Sequence, residues 1–268
     1  VYDRMKENGE FIQDEAPKLY IYKQTMDGSE QVGLVACASI DDYINNNIKK
    51  HELTREEKEQ DRIRHVDALN ANTGPIFLTY RHKDEVSKTI RGWADSHEPV
   101  YNFVSEDKIG HIVWVIDDNE VIEKITGAFA DIPSLYIADG HHRNASAVKV
   151  GLMRRKENPN YDINEEFNYY LSVIFPDNEL YFMDYNRIVK DLNGNSKEDF
   201  IKKVEEKFTV EKFEGGQYHP ESAHTFGMYM DNQWYKITAK PEFIDENDPV
   251  ESLDVSILQN SLLHPVLG

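Results

Sequence analysis

The chain has 268 residues, long enough for one large core or two small ones, and 40% of them are apolar, including 15 Tyr, 12 Phe and 3 Trp, so disorder is not expected. Its 49 acidic residues outweigh 30 basic ones, and the formal net charge of -19 repels phosphate backbones and anionic lipid heads, which argues against nucleic-acid binding. No window of about 18 uncharged apolar residues exists, and the charged stretch Val1 to Glu10 lacks the apolar segment of a secretion signal, so no segment is expected to enter a membrane.

The chain begins at Val1 without an initiator methionine, and an upstream segment is expected to have been removed. Near the start, Leu19 to Met26 and Gln31 to Ile40 alternate across Asp27-Gly28-Ser29-Glu30, which predicts a hairpin. The one cysteine, Cys37, lies in Val35-Ala36-Cys37-Ala38, where a buried, inert thiol is expected. A single thiol forms no internal disulfide, and a reducing cytoplasm is the expected compartment.

Thr54 to Asn72 carries Ile63, Val66 and Leu69 at helical spacing behind a capping pair, Thr54 and Glu57. A second hairpin pairs Val100 to Ser105 with His111 to Ile116 across Lys108-Ile109-Gly110, and a helix follows over Val121 to Ala130. A third hairpin is predicted from Tyr169 to Phe175, turning at Pro176-Asp177-Asn178 into Leu180 to Asp184. Ser196 caps a helix to Phe208 with Phe200, Val204 and Phe208 on one face. A fourth hairpin joins Thr225 to Met230 with Trp234 to Thr238, and a last helix, Ser252 to His264, is expected to stop at Pro265.

Hairpins with interspersed helices read as α+β with antiparallel pairing. The chain is expected to form a single domain over 1–268. The loop 214–223, with Gly215-Gly216 and Pro220, is the candidate boundary between two lobes, and Pro241 to Pro249 is a second linker candidate.

Ser134-Leu135-Tyr136-Ile137-Ala138 reads as a short buried strand, and Asp139-Gly140 breaks it before a helix with Ala145, Val148 and Leu152 on one face. Asp139-Gly140-His141-His142-Arg143 therefore sits on a strand-to-helix turn. Such a turn aims free backbone N–H groups and the positive end of the helix dipole at an anion. Gly140 permits close approach, Arg143 can grip phosphate oxygens with both arms, and His141 and His142 add donors. The alternative is a plain helix cap at Asp139, with the histidines filling polar gaps. Adjacent helical histidines do not face the same way, so a metal would need ligands from elsewhere.

His51-Glu52-Leu53-Thr54-Arg55 opens like a zinc-protease helix, but Arg55 stands where the second histidine belongs. Glu52, beside His51, remains, and two readings stand: a surface glutamate without a role, the usual one for any of 49 acidic residues, or a general base that Lys49, Lys50 and Arg55 are expected to keep ionised. The sequence contains no G-x-x-x-x-G-K-[ST] loop, no G-x-G-x-x-G after a strand and no G-x-S-x-G elbow, which removes Walker-type, Rossmann and serine-hydrolase sites.

Taken together, His51-Glu52, Asp61-Arg62, Asn72 ahead of Pro75-Ile76-Phe77, and Tyr136 to Arg143 resemble a bacterial family of uncharacterised proteins. That family is related to archaeal free serine kinase and, more remotely, to the ParB and sulfiredoxin fold. Leu19-Tyr20-Ile21-Tyr22, Tyr185-Asn186-Arg187-Ile188-Val189 and Leu253-Asp254-Val255-Ser256 to Gly268 extend the likeness along the chain. The resemblance implies a mixed, largely antiparallel sheet with flanking helices around a ParB/sulfiredoxin-like core, with nucleotide phosphates on Asp139, Gly140, His141, His142 and Arg143. It implies Glu52 as catalytic base, His51 and Arg62 as site neighbours, and Asp139 beside Mg²⁺ bound with ADP or ATP. The implied reaction is phosphoryl transfer to free L-serine or a related hydroxyl compound, and the ParB branch implies a second reading, a nucleotide-controlled switch without amino-acid chemistry. The family continues past the segment that ends at Gly268, so this chain is expected to lack a segment that closes the site.

Overall fold

The computed structural model describes residues 1–268 except for the side chain of Lys58. The chain divides into two units, Val1–Met183 and Asp184–Gly268. The loop 214–223 lies inside the second unit.

The first unit runs α1 (Tyr2–Glu7), β1 (Leu19–Met26), β2 (Ser29–Ser39), α2 (Ile40–Ile44), β3 (Ile48–Lys49), α3 (Glu56–Leu69), β4 (Ile76–Tyr80), α4 (Asp84–Ser96), β5 (Tyr101–Val104), β6 (Gly110–Ile116), α5 (Asn119–Ala130), β7 (Leu135–Asp139), α6 (His141–Glu157) and β8 (Tyr169–Pro176). Its strands form one sheet in the order β3-β7-β4-β8-β2-β1-β6-β5. β3 runs parallel to β7 and β4 parallel to β8, and every other neighbouring pair is antiparallel. This is the α+β class expected from the hairpins, with the mixed sheet and flanking helices that the resemblance implies. Ile21, Leu34, Ile40, Leu78, Ile116, Ile125 and Ile137 are fully buried in its core, and each buried side chain of this size contributes about 1.5–3 kcal/mol.

The hairpin β1–β2 turns at Asp27-Gly28, both at positive φ (51° and 80°), the backbone that matches the twist of the flanking strands. The β5–β6 hairpin also forms. The third predicted hairpin does not. Asp177–Glu179 makes a short 3₁₀ turn, residues 180–184 form no strand, and β8 instead lies between β2 and β4. Glu179 accepts hydrogen bonds from the Val32 backbone N–H at 2.8 Å and from Arg91 at 2.8 Å, which draws the chain across the sheet and away from a return strand. Cys37 is exposed, because strand alternation sends Leu34 and Ala38 to the core and Cys37 to the other side. The helix α4, not predicted, buries Val86 and Ile90.

The second unit contains α7 (Lys197–Lys207), β9 (Phe208–Phe213), β10 (Thr225–Met230), β11 (Gln233–Ala239) and α8 (Asp254–Leu258), with an antiparallel sheet in the order β10-β11-β9. Ser196 caps α7 by accepting from the Asp199 backbone N–H, as predicted. The last helix continues as π-helical turns over Gln259–Leu267 with Pro265 inside, so Pro265 does not end it. Phe200, Val204, Phe208, Tyr235 and Ile237 form this unit's own core. Among the described residues, no helix is long and apolar enough to cross a membrane.

The helix α6 owes its position partly to Gly151, where an added Cβ would lie 2.4 Å from the Phe167 carbonyl oxygen and 2.8 Å from Ile40 Cδ1. Gly127 in α5 has nothing within 4 Å of the same point. Gly151→Ala is therefore expected to cost about 1–3 kcal/mol through overpacking, although alanine is the better helix former. Gly127→Ala should stabilise by about 0.5–1 kcal/mol. Thermal unfolding of the two variants should shift in opposite directions, and a shift in the same direction would contradict this packing.

Candidate functional site

Three loops meet at one end of the large sheet because of strand direction. β3 and β7 are parallel, with Ile48 opposite Leu135 and Lys49 opposite Tyr136, so the segments after both leave at the same end. β4 is antiparallel to β7, with Phe77 opposite Asp139, so the segment that precedes β4 arrives there too. The meeting place thus collects His51–Arg55, Gly74-Pro75 and the turn at Asp139-Gly140.

Gly140 is the N-cap of α6 and has φ 93° and ψ 28°, a left-handed backbone that only glycine adopts without strain. A Cβ there would also stand 3.1 Å from the Arg143 guanidinium. Arg143 folds back over the turn. Its Nη2 donates to Asp139 Oδ2 at 2.8 Å and its Nη1 to the Pro75 carbonyl at 3.0 Å. Asp139 is thus the partner of Arg143 and not the helix cap, and its carboxylate is 73% exposed.

His141 begins α6 and is buried, while Glu52 from the preceding loop places Oε2 3.6 Å from His141 Nδ1. The His51 ring meets the His141 ring edge-on, with centroids 4.4 Å apart. The other nitrogen of His141, Nε2, is buried without a hydrogen-bond partner among the described residues. Burial, then the neighbouring His51, push the His141 pKa below its ordinary 6.5, and the opposing pull of Glu52 and Asp139 is weaker. His142 Nε2 accepts a hydrogen bond from the Arg55 backbone N–H at 3.2 Å.

A second layer of polar contacts holds α3 against α6. Glu59, buried on α3, accepts from Lys149 of α6 and from Thr54. Burial pushes its carboxyl up, but those two hydrogen bonds outweigh it and leave the pKa below the usual value. Thr54 therefore braces Glu59 and does not cap α3, whose N-cap is Arg55. Ser146 Oγ donates to the His142 carbonyl at 2.7 Å, and buried Asn144 donates to Tyr170 Oη at 3.2 Å.

His51, Glu52, Asp139, Gly140, His141, His142 and Arg143 thus stand together, from segments almost ninety residues apart in sequence. Arg62 is exposed on α3 and joins none of these contacts among the described residues. Pro75, Gly74 and the pair Glu59–Lys149 also belong to the surroundings of the site. Pro75, ahead of a strand, had a visible signal, whereas Glu59 is one of 49 acidic residues and had none. No group of three or more His, Cys, Asp or Glu suited to a metal occurs among the described residues. A separate cavity of about 640 Å³ lies in the second unit, lined by residues between Asp184 and Leu267, and contains none of these residues.

Over residues 1–256 the sequence matches the family model described as "Protein of unknown function (DUF1015)". None of the curated proteins and none of the solved structures compared with the chain matches it.

The lowered pKa of His141 gives its contribution to stability a definite sign. The unfolded chain takes up the proton first as pH falls, so the stability associated with neutral His141 is present above the ordinary 6.5 and is lost as pH falls through the lowered folded value. Between about pH 7 and about pH 5, the urea midpoint of the wild type should fall more than that of His141→Phe, which has no proton to gain. An equal or smaller loss in the wild type would contradict the lowered pKa of His141.

Proposed function

The chain belongs to the family described as "Protein of unknown function (DUF1015)", and within that family we propose the activity its site supports best: nucleotide-dependent phosphoryl transfer to the hydroxyl of a small molecule. The observation that carries this reading is the 3.6 Å approach of Glu52 to His141 Nδ1 in the first turn of α6. It puts a carboxylate suited to a base beside a helix N-terminus suited to phosphate. The resemblance to archaeal free serine kinase points to the same two groups, and it makes ADP or ATP with Mg²⁺ the donor and free serine the first acceptor to test, in a ParB/sulfiredoxin-like setting in the cytoplasm.

The local charge supports an anion at α6. It is the longest helix, 17 residues, and its first turn contains no acidic residue. Every other α-helix carries one there. In a chain of net charge -19, the helix thus adds no carboxylate of its own to its free N–H groups, and Asp139 just before it is engaged by Arg143. Phosphate oxygens would take the backbone N–H groups of the Gly140–Arg143 turn and the Arg143 guanidinium. Asp139, released as Arg143 turns to the phosphate, is the carboxylate available to the nucleotide's Mg²⁺.

In the reaction, the acceptor oxygen attacks the terminal phosphorus and a new P–O bond forms while the bond to the bridging oxygen breaks. The hydroxyl proton passes to Glu52, and the nucleotide leaves with one phosphate fewer. Such transfer is mainly positioning and charge stabilisation, which suits a site with little covalent chemistry of its own.

Incubation of the full-length protein with Mg²⁺, ADP or ATP and a pool of hydroxyl compounds that includes serine, followed by phosphorus NMR, should reveal a phosphomonoester. Nucleotide binding without consumption would instead make the site a switch. Glu52→Gln should lower turnover by about a hundredfold to ten-thousandfold while nucleotide affinity holds. Arg143→Ala should weaken nucleotide binding by about 1.5–3 kcal/mol, the scale of a lost charged hydrogen bond. Near-normal turnover in Glu52→Gln removes Glu52 as base, and unchanged affinity in folded Arg143→Ala removes the turn from the phosphate site.

A further inference from the structure

We propose that His142 is a positioning residue: through Nε2 it fastens the loop that carries Glu52 to α6, and phosphate is not the ligand of that nitrogen. The first N–H groups of a helix have no partner within it. At α3 the N-cap residue Arg55 offers no side-chain cap, and its own backbone N–H donates to His142 Nε2 at 3.2 Å. A ring nitrogen accepts a hydrogen bond only when it carries no proton, so the proton of the neutral His142 ring is on Nδ1. A phosphate-binding imidazole would need a donor at the nitrogen that meets the oxygen, and Nε2 is not one.

The loop is held at two ends. Before it, β3 pairs with β7, and Leu135 donates from its backbone to Asn47 at 3.0 Å. After it, the Arg55–His142 bond is the one hydrogen bond that ties residues 50–55 to α6 among the described residues. Glu52 lies between these anchors, and its 3.6 Å contact with His141 is longer than a hydrogen bond. Loss of the His142 acceptor would therefore remove the loop's direct tie to α6 and loosen Glu52, while Thr54 keeps its bond to Glu59, and Glu59 with Lys149 keeps α3 in place. The His142 ring reaches the reacting atoms only through Glu52.

The comparison that tests this is His142→Leu, which has no acceptor, against His142→Gln, whose side-chain carbonyl reaches the position of Nε2. The first readout is amide hydrogen exchange at Arg55, which needs no substrate. It should be slow in the wild type and His142→Gln and fast in His142→Leu. The second readout rests on the phosphotransfer reading. With Mg²⁺, ADP or ATP and serine, His142→Leu should lose about tenfold to a hundredfold in kcat, the scale of a misplaced group, while nucleotide Kd changes by less than about twofold and His142→Gln restores turnover. Equal Arg55 exchange in all three proteins overturns the proposal, and so does a His142→Leu variant with weakened nucleotide binding and intact kcat. If the wild type transfers phosphate to no acceptor, the phosphotransfer reading fails while the exchange comparison still decides the role of His142.

Discussion

At Gly140 the backbone passes through a φ of 93°, and that reversal turns β7, next to the edge of the large sheet, into its longest flanking helix. Without it, the N–H groups of the first turn of α6 would not open at the end of the sheet where the segments after β3 and before β4 arrive. The same left-handed turn brings Arg143 over the glycine, where it meets both Asp139 and the Pro75 carbonyl. A side chain at position 140 would strain the backbone and displace the guanidinium at once, so geometry and electrostatics at this point share one cause.

The remainder of the site is a matter of holding polar groups against one another with little room. The Glu59–Lys149 pair joins α3 to α6, a contact that is costly to break because a buried charge would be left alone. Gly151 lets α6 approach Ile40 and the Phe167 carbonyl. Between these supports, the first turn of α6 keeps His141 buried with one nitrogen unpaired among the described residues, an arrangement that native proteins tolerate at functional sites more readily than elsewhere. In a chain this acidic, the first turn of α6 has no carboxylate of its own, and Asp139 beside it is held by Arg143, while Glu52 stands 3.6 Å from His141.

Much of this was visible in the sequence where the signals are local. Asp27-Gly28 and Asp231-Asn232 announce their hairpins through residues that accept positive φ, and Ser196 announces its helix by its cap. The Asp139-Gly140 break announced the turn. Non-local pairing had no such signal: β8 lies between β2 and β4, so the polar residues after it, which read as a hairpin turn, lead to no return strand. Leu152, expected on the buried face of α6, is 44% exposed, because α6 turns Asn144, Ala147, Val148 and Gly151 toward Tyr170, the sheet core and Ile40 and turns Ser146 and Lys149 toward α3. The Val86, Ile90, Trp93 spacing of α4 is a helical period in the sequence, in a segment without a capping side chain at its start. At the site, residue types and turn were legible, whereas the pairing of Arg55 with His142 and of Arg143 with Pro75 depends on loops brought together by strand direction.

The central claim is that the Gly140–Arg143 turn receives nucleotide phosphate next to Glu52. Amide chemical shifts measured while the full-length protein is titrated with ADP and Mg²⁺, and separately with ATP and Mg²⁺, test it most directly, because they locate the ligand whether or not turnover follows. Saturable shifts at Gly140, His141, His142 and Arg143, with smaller ones at His51 to Arg55, are the predicted result. Shifts absent from that turn, or confined to residues around the cavity of the second unit, would contradict it.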